Sequence, residues 1–386
     1  MRYLKRAMES ALVRAAKNFP AVVLTGPRRA GKTELLRHLF PKARYYLLED
    51  PDVLARVRTD PRAFVEELQP PVLIDEIQNA PEVIPYLRTR IDAAPRKTGN
   101  WLLTGSQEFA LMRGVTETLA GRAAVLRLLP LSLRETPKAT PFAGGFPEVL
   151  ARPGARDLWF ASYVQTYLEH DVRSIAQIRD LTTYRRFMAL LASRNGQMVN
   201  RADLASALGV SSPTIAQWLD ILETTALVSL VPPYFENFGK RLVKTPKVYW
   251  HDSGLLCHLL GIRSVAELNR SPFLGAIWEG FVGTEIIKAQ INAGRGREIY
   301  YFRDSQGLEV DFLVPGADGL LNLVEVKASK TLLPRMAAPM NSLASVLKKH
   351  ETRLFVVGKD CKEDVVSLSN DVKGLTVLKL LKELEK

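Results

Sequence analysis

The sequence predicts an α/β protein built in succession: a parallel-sheet nucleotide-binding domain, a helical region ending in a winged helix, and a second α/β domain. Three observations carry this. Residues 26–33, Gly-Pro-Arg-Arg-Ala-Gly-Lys-Thr, fit the pattern G-x-x-x-x-G-K-[ST] between an apolar run and a helical run. Residues 201–223 carry two short helical patterns about a glycine turn, with a strand pattern behind them. Residues 274–358 read as a long helix, three strands, a helix and a strand, with acids and a lysine on the strands. A chain of 386 residues also exceeds what one hydrophobic core organises.

Residues 4–18 carry apolar side chains at helical spacing, Leu4, Ala7, Met8, Ala11 and Leu12. The run 21–25 is a buried strand. After it, Gly26 and Gly31 let the backbone curl so that the N–H groups of Gly26, Pro27-Arg28-Arg29-Ala30, Gly31 and Lys32 can ring a phosphate, with proline lacking a donor. The helix that starts near Lys32 adds the positive end of its dipole. Lys32 reaches the β- and γ-phosphates of ATP, and the Thr33 hydroxyl can bind Mg²⁺. Residues 44–48 are a second strand, ended by Asp50-Pro51, and 52–68 hold short helices. In the run 71–78 four apolar residues end in Asp75-Glu76, the pattern of a strand buried on both faces with acids at its tip. Asp75 would hold Mg²⁺, and Glu76 would polarise the attacking water. A helix over 83–93 leads to a strand over 101–107 with a polar end. Thr104 and Ser106 there are candidates to sense the γ-phosphate, with a plain Gly-Ser turn as the competing reading. Arg122 precedes the strand 123–128 and is either an arginine finger or a surface residue capping that strand.

The Pro/Gly-rich stretch 137–147 is the first domain boundary. Helices follow over 156–180 and 184–193; the aromatic stripe Trp159, Tyr163, Tyr167 belongs to a core. Asn200 caps a helix over 201–208, Gly209-Val210 turns the chain, and Ser211 or Ser212 caps the helix that follows, with Pro213 in its first turn. With the strand 227–231 and the basic hairpin 239–244 this makes a winged helix. Thr214 and Gln217 are placed to face a DNA groove, and Lys240, Arg241 and Lys244 to touch phosphates; such modules also dock proteins.

The third part is read from where charge falls on its strands. Asp311 sits within the strand 309–314. Glu325 and Lys327 alternate on one face of 321–327, and the hairpin brings Asp311 beside them. Convergent carboxylates can hold Mg²⁺, and a lysine beside them can orient water for attack on a phosphodiester. Glu279, on the helix from 274, would add a third carboxylate. This D…E-x-K pattern in an α-β-β-β-α-β order is that of the restriction-endonuclease-like fold. A solvated strand face, or a nuclease-like domain that only binds DNA, are the alternatives.

Composition narrows the function classes. The formal charge of +12 and isoelectric point of 9.6 point to a polyanionic partner such as nucleic acid. No apolar run reaches the ~20 residues that span a bilayer, and the basic start is not followed by a long apolar core, so the expectation is a cytoplasmic protein without membrane contact. Two cysteines, Cys257 and Cys361, support neither a disulfide framework nor a zinc site.

These stretches, together with Leu119-Ala120-Gly121-Arg122, Gly144-Gly145-Phe146-Pro147-Glu148 and Lys247-Val248-Tyr249-Trp250-His251-Asp252-Ser253-Gly254-Leu255, resemble the bacterial and archaeal AAA+ ATPases that carry a C-terminal domain of unknown function. The resemblance covers nearly the whole chain. It implies an AAA+ P-loop ATPase domain at 1–140, a helical lid at 141–180, a winged helix at 181–251 and a restriction-endonuclease-like domain at 252–386. It also implies ATP and Mg²⁺ as cofactors and self-association into a ring, expected to be a hexamer, in which Arg122 of one subunit completes its neighbour's site. The leading expectation is an ATP-hydrolysing protein that binds branched or forked DNA and cleaves it through Glu279, Asp311, Glu325 and Lys327. The competing expectations are a STAND-type signalling switch and a nucleotide-regulated DNA-binding protein with an inactive nuclease fold.

Overall fold

The burial of five strands fixes their order in the first sheet. β1 (Ala21–Thr25), β3 (Val72–Asp75) and β4 (Trp101–Gly105) are buried along their whole length, as strands covered by helices on both faces must be. β2 (Arg44–Leu47) and β5 (Ala123–Arg127) are partly exposed and form the edges. The order is β2-β3-β4-β1-β5, all parallel, so every strand ends on the same side. The structure is a computed structural model and describes residues 3–105, 118–167, 180–234, 245–347 and 351–386. Ser106 and the basic residues Lys240, Arg241 and Lys244 lie outside the described residues.

Two of the helices around this sheet start where an aspartate caps them. Asp50 accepts from the N–H groups of Asp52 and Val53 at the start of Pro51–Thr59, and Asp60 from Ala63 at the start of Pro61–Glu67. The first helix begins at Glu9, later than its apolar periodicity suggests. The Glu9 carboxylate accepts from the Arg6 N–H and the Tyr3 hydroxyl, both at 2.8 Å, which holds residues 3–6 in an irregular approach, and Ala7-Met8 make a turn before the helix.

The middle region contains Pro147–Ala151, Arg156–Tyr167 and Leu181–Ser193, then the helix pair Arg201–Leu208 and Ser212–Thr224. Asn200 and Ser211 cap the pair, and Gly209 makes the turn at φ 68°. β6 (Val228–Val231) pairs antiparallel with β7 (Lys247–Trp250). One apolar cluster runs from Phe146 through Trp218 and Trp250 to Ile277, so the helices after the first sheet, the winged helix and the start of the helix Leu274–Asn292 share a core.

The second sheet has the order β12-β13-β11-β10-β9-β8. β8 (Tyr300–Arg303), β9 (Glu309–Pro315) and β10 (Leu321–Lys327) are an antiparallel meander, and β11 (Thr352–Gly358) lies parallel to β10. The helix Leu274–Asn292 covers one face through Phe281 and Ile286 against Phe312 and Phe355. Ala338–Val346 covers the other through Met340 and Leu343. β8 starts three residues later than the pattern at 297–303 suggests, because Arg297 turns away to the Leu230 carbonyl (2.9 Å) and Glu223 (3.5 Å). β12 (Val365–Ser367), β13 (Val372–Leu375) and the helix Val377–Glu383 extend the domain beyond the expected elements. Among the described residues no helix is long and apolar enough to cross a membrane.

Candidate functional site

The loop 26–33 leaves the carboxyl end of β1 in a conformation that glycine makes possible. Gly26 has φ 139°, and a Cβ there would sit 2.0 Å from the Leu128 carbonyl oxygen; Gly31, at φ 96°, immediately precedes the helix Lys32–Leu39. The Lys32 ammonium donates to the Gly26 and Pro27 carbonyls at 3.0 and 3.1 Å, which folds it back over the loop. Arg28 pairs with Glu49 across the rim at 3.5 Å. The open cleft above has a volume of about 670 Å³, large enough for a nucleotide. Arg28, Arg29, Ala30, Gly31, Lys32, Thr33, Asp75 and Glu76 line it, and Pro147 and Glu148 close it from the side.

Asp75, buried at the tip of β3, gathers hydroxyl groups. Thr33 lies 2.9–3.0 Å from its two oxygens, Tyr45 donates at 2.8 Å, and Thr104 donates through a very short bond. Burial, and then the charge of Asp75, push the Tyr45 phenol up, so it stays a donor. Thr104 also accepts the Glu76 N–H at 3.1 Å. Thr104 is fully buried and is not among the residues that line the cleft; its hydrogen bonds here are to Asp75 and Glu76. Glu76 stands half-buried at the cleft with φ 56°, its carboxylate held by Gln78. A hydroxyl and a carboxylate in contact are hard oxygen donors, so Thr33 and Asp75 fit Mg²⁺.

Arg6 is a residue the sequence reading did not single out. Its guanidinium donates to the Ala30 carbonyl of the loop (2.9 Å), to the Leu129 carbonyl (2.7 Å) and to Glu135 (2.7 Å). Burial opposes the charge on Glu135, but Arg6 outweighs it and holds this carboxyl below the usual range. Arg122 is at the other end of the sheet. Its carbonyl accepts the N–H of Ala21, the first residue of β1, and its guanidinium pairs with Asp92 at 3.0 Å. The length of β1, about 16 Å, therefore separates it from its own phosphate loop.

In the C-terminal sheet, Asp311 on β9 accepts the Val326 N–H of β10 at 2.7 Å. One Glu325 oxygen meets the Lys327 ammonium at 2.5 Å; the other is buried and has no hydrogen-bond partner among the described residues. Burial and the neighbouring Asp311 push Glu325 and Glu279 up to about 7, and burial raises Asp311 as well. Asp311 and Glu325 are hard donors of the kind a divalent cation takes. Glu279 is engaged differently. It accepts from the Tyr249 hydroxyl at 2.6 Å and faces the Lys247 ammonium at 3.3 Å, both from β7. Lys247 also meets Glu309 at 2.6 Å. Because β7 holds Glu279, the expected three-carboxylate arrangement does not form, and among the described residues no three acidic, histidine or cysteine side chains stand as a metal cluster.

The period-two spacing of Lys247 and Tyr249 was the available signal for this contact, since both lie on the face of β7 that meets Glu279. Asp252, just beyond, accepts the Gly145 N–H at 2.6 Å, which joins the Gly-Gly-Phe-Pro-Glu stretch to the stretch that starts at Lys247. In the helix-turn-helix, Gln217 is exposed, whereas the Thr214 hydroxyl is tied to Ser211 at 2.8 Å.

Residues 18–136 match the model of an AAA domain, 135–266 that of the domain of unknown function DUF8612, and 274–376 that of the domain of unknown function DUF4143. The uncharacterized protein Rv2008c of Mycobacterium tuberculosis is 34% identical over 317 residues, 80% of this chain and 71% of that protein. Mb2031c of Mycobacterium bovis matches with the same figures. An uncharacterized protein of Haemophilus influenzae is 24% identical over 342 residues, 78% of this chain and 80% of that one. Among solved structures, the Walker-type ATPase PABY2304 of Pyrococcus abyssi aligns with a TM-score of 0.42 at 15% identity, covering 65% of this chain and 94% of that one.

Proposed function

We propose that this chain, which belongs to the family of its two mycobacterial relatives and is an AAA-type ATPase, uses ATP hydrolysis to act on DNA, branched or forked, through its C-terminal domain. In the ATPase site Lys32 swings from the loop carbonyls onto the β- and γ-phosphates, and Glu76 polarises the water that attacks phosphorus. Thr33 and Asp75 would hold Mg²⁺, which neutralises phosphate charge. Tyr45 and Thr104 orient Asp75 for this. Arg122, a sheet's length from its own loop, serves the site of an adjacent subunit in a ring, for which a hexamer is the expected size.

The observation that carries the DNA reading is the meeting of Asp311, Glu325 and Lys327 on the β9–β10 hairpin, in a chain of formal charge +12. There Asp311 and Glu325 would hold a divalent cation, which would stabilise charge on a phosphodiester, and Lys327 would orient water. On this reading the domain is restriction-endonuclease-like in its chemistry. ATP turnover measured with linear and forked DNA, and incubation of branched DNA with Mg²⁺ or Mn²⁺ beside a Glu325→Ala variant, test the proposal. DNA-stimulated turnover and cleavage lost in Glu325→Ala are the expected results. Absence of DNA binding at low salt, with turnover unchanged by DNA, overturns it.

The engagement of Glu279 by Lys247 favours a second reading, in which the nuclease fold is inactive and the chain is a nucleotide-regulated DNA binder or a STAND-type switch. ATP-dependent assembly without DNA affinity would select the switch.

A further inference from the structure

The carboxylates of the C-terminal sheet draw one of their cations from another domain. Lys247 belongs to β7, whose backbone bonds stay within the winged helix. It pairs with β6, and the Gly196 and Val199 N–H groups donate to Val248 and Pro246. Its side chain leaves that unit. The ammonium is 3% exposed, 2.6 Å from Glu309 and 3.3 Å from Glu279. Tyr249, two residues on, sends its hydroxyl to the same Glu279 oxygen. β7 is thus held by its backbone to one domain and by two side chains to another.

Of these carboxylates Glu325 is buried and Glu279, Glu309 and Asp311 are partly so, and carboxylates drawn together away from water call for a cation. Lys247 and Lys327 bring two ammonium groups to Glu279, Glu309, Asp311 and Glu325, with Arg303 at the outer side of Glu309. Even so, one Glu325 oxygen remains buried with no hydrogen-bond partner among the described residues. The cluster therefore holds donor capacity beyond what the two lysines use.

We infer that Lys247 is the resident cation of this cluster, and that it opposes the binding of a divalent metal ion there. Its ammonium already takes up the charge of Glu279 and Glu309, so the two cations compete for the same carboxylates. The inference rests on the reading of these carboxylates as a cation site, and does not depend on cleavage of DNA.

The test is Mn²⁺ binding by the full chain without nucleotide, followed by calorimetry and by the paramagnetic resonance of free Mn²⁺. Lys247→Gln is expected to bind Mn²⁺ at least about tenfold more tightly than the unaltered protein, since a unit charge a few ångströms away is removed. Its melting temperature is expected to rise with Mn²⁺. Lys247→Arg should behave like the unaltered protein, and adding Glu325→Ala to Lys247→Gln should abolish the gain. Should Lys247→Gln alone fail to fold, Lys247→Gln/Glu309→Gln removes one charge of each sign and is read in the same way. A folded variant of either kind that binds Mn²⁺ no better than the unaltered protein overturns the inference, as does a gain that survives Glu325→Ala. Tighter Mn²⁺ binding without DNA cleavage would keep this inference and remove the nuclease reading.

Discussion

Asp75 and Glu325 are both carboxylates buried on apolar strands, with 3% and 4% exposure, yet their surroundings differ in kind. Asp75 has hydroxyl partners, Thr33, Tyr45 and Thr104, all from its own domain. Hydroxyls satisfy the lone pairs and leave the negative charge in place for a cation that arrives with a ligand. Glu325 and its neighbours meet ammonium groups, and one of these, Lys247, comes from a different domain. An ammonium satisfies lone pairs and charge together. The first centre therefore keeps its charge among neutral partners, while the second shares its charge with ammonium groups, one of them from outside its own sheet.

Three measurements would break or sharpen this contrast. The largest effect is expected at the first centre. Glu76→Gln should lower ATP turnover by about 10²–10⁴-fold, the usual contribution of a placed general base, with nucleotide binding retained. Turnover close to that of the unaltered protein would remove Glu76 from the water-activating role and make the first centre a passive one.

Next comes the ion pair that anchors the phosphate loop. Arg6→Ala leaves Glu135 buried without its cation and should cost about 3–5 kcal/mol in denaturant unfolding, the range for breaking buried pairs. A cost below about 1 kcal/mol, the level of surface pairs, would mean that Arg6 does not hold the loop.

The smallest effect is expected at the second centre. Tyr249→Phe removes one hydrogen bond to Glu279 and should cost about 0.5–1.5 kcal/mol of stability, leaving ATP turnover unchanged. A change in turnover would show that the two centres are coupled even without nucleotide-driven movement.

What was legible in the sequence follows how local each signal is. The phosphate loop was readable because Gly26, Gly31, Lys32 and Thr33 lie within eight residues, and strand and helix flank them. The caps at Asn200 and Ser211 were readable for the same reason. Asp311, Glu325 and Lys327 were reached through strand alternation and a short hairpin, which bring distant numbers together by a simple rule. The rest required tertiary contact. Arg6 reaches Glu135 across 129 positions, and no local pattern marks it. Tyr45 is an edge-strand tyrosine until β2 pairs with β3 and carries it to Asp75. Lys247 and Tyr249 sit in a stretch recognisable as a motif, but their target lies on the helix Leu274–Asn292, which only packing brings near. The short exposed strand β12 and its neighbour β13 carry too little apolar periodicity to announce themselves.

The segment between the two sheets has a mechanical consequence. Residues 129–135 are gripped on one side by Arg6, which also holds the phosphate loop through the Ala30 carbonyl. On the other side the Leu133 N–H donates to Glu285 at 2.8 Å, and Lys288 donates to the Leu131 carbonyl at 3.2 Å. Glu285 and Lys288 belong to the 19-residue helix that also carries Glu279. Such a helix is a rod about 28 Å long, with Glu279 about 9 Å along it from Glu285. The phosphate loop and Glu279 are thus joined through one guanidinium, one short segment and one continuous helix, the shortest bonded route between the two centres that these contacts describe.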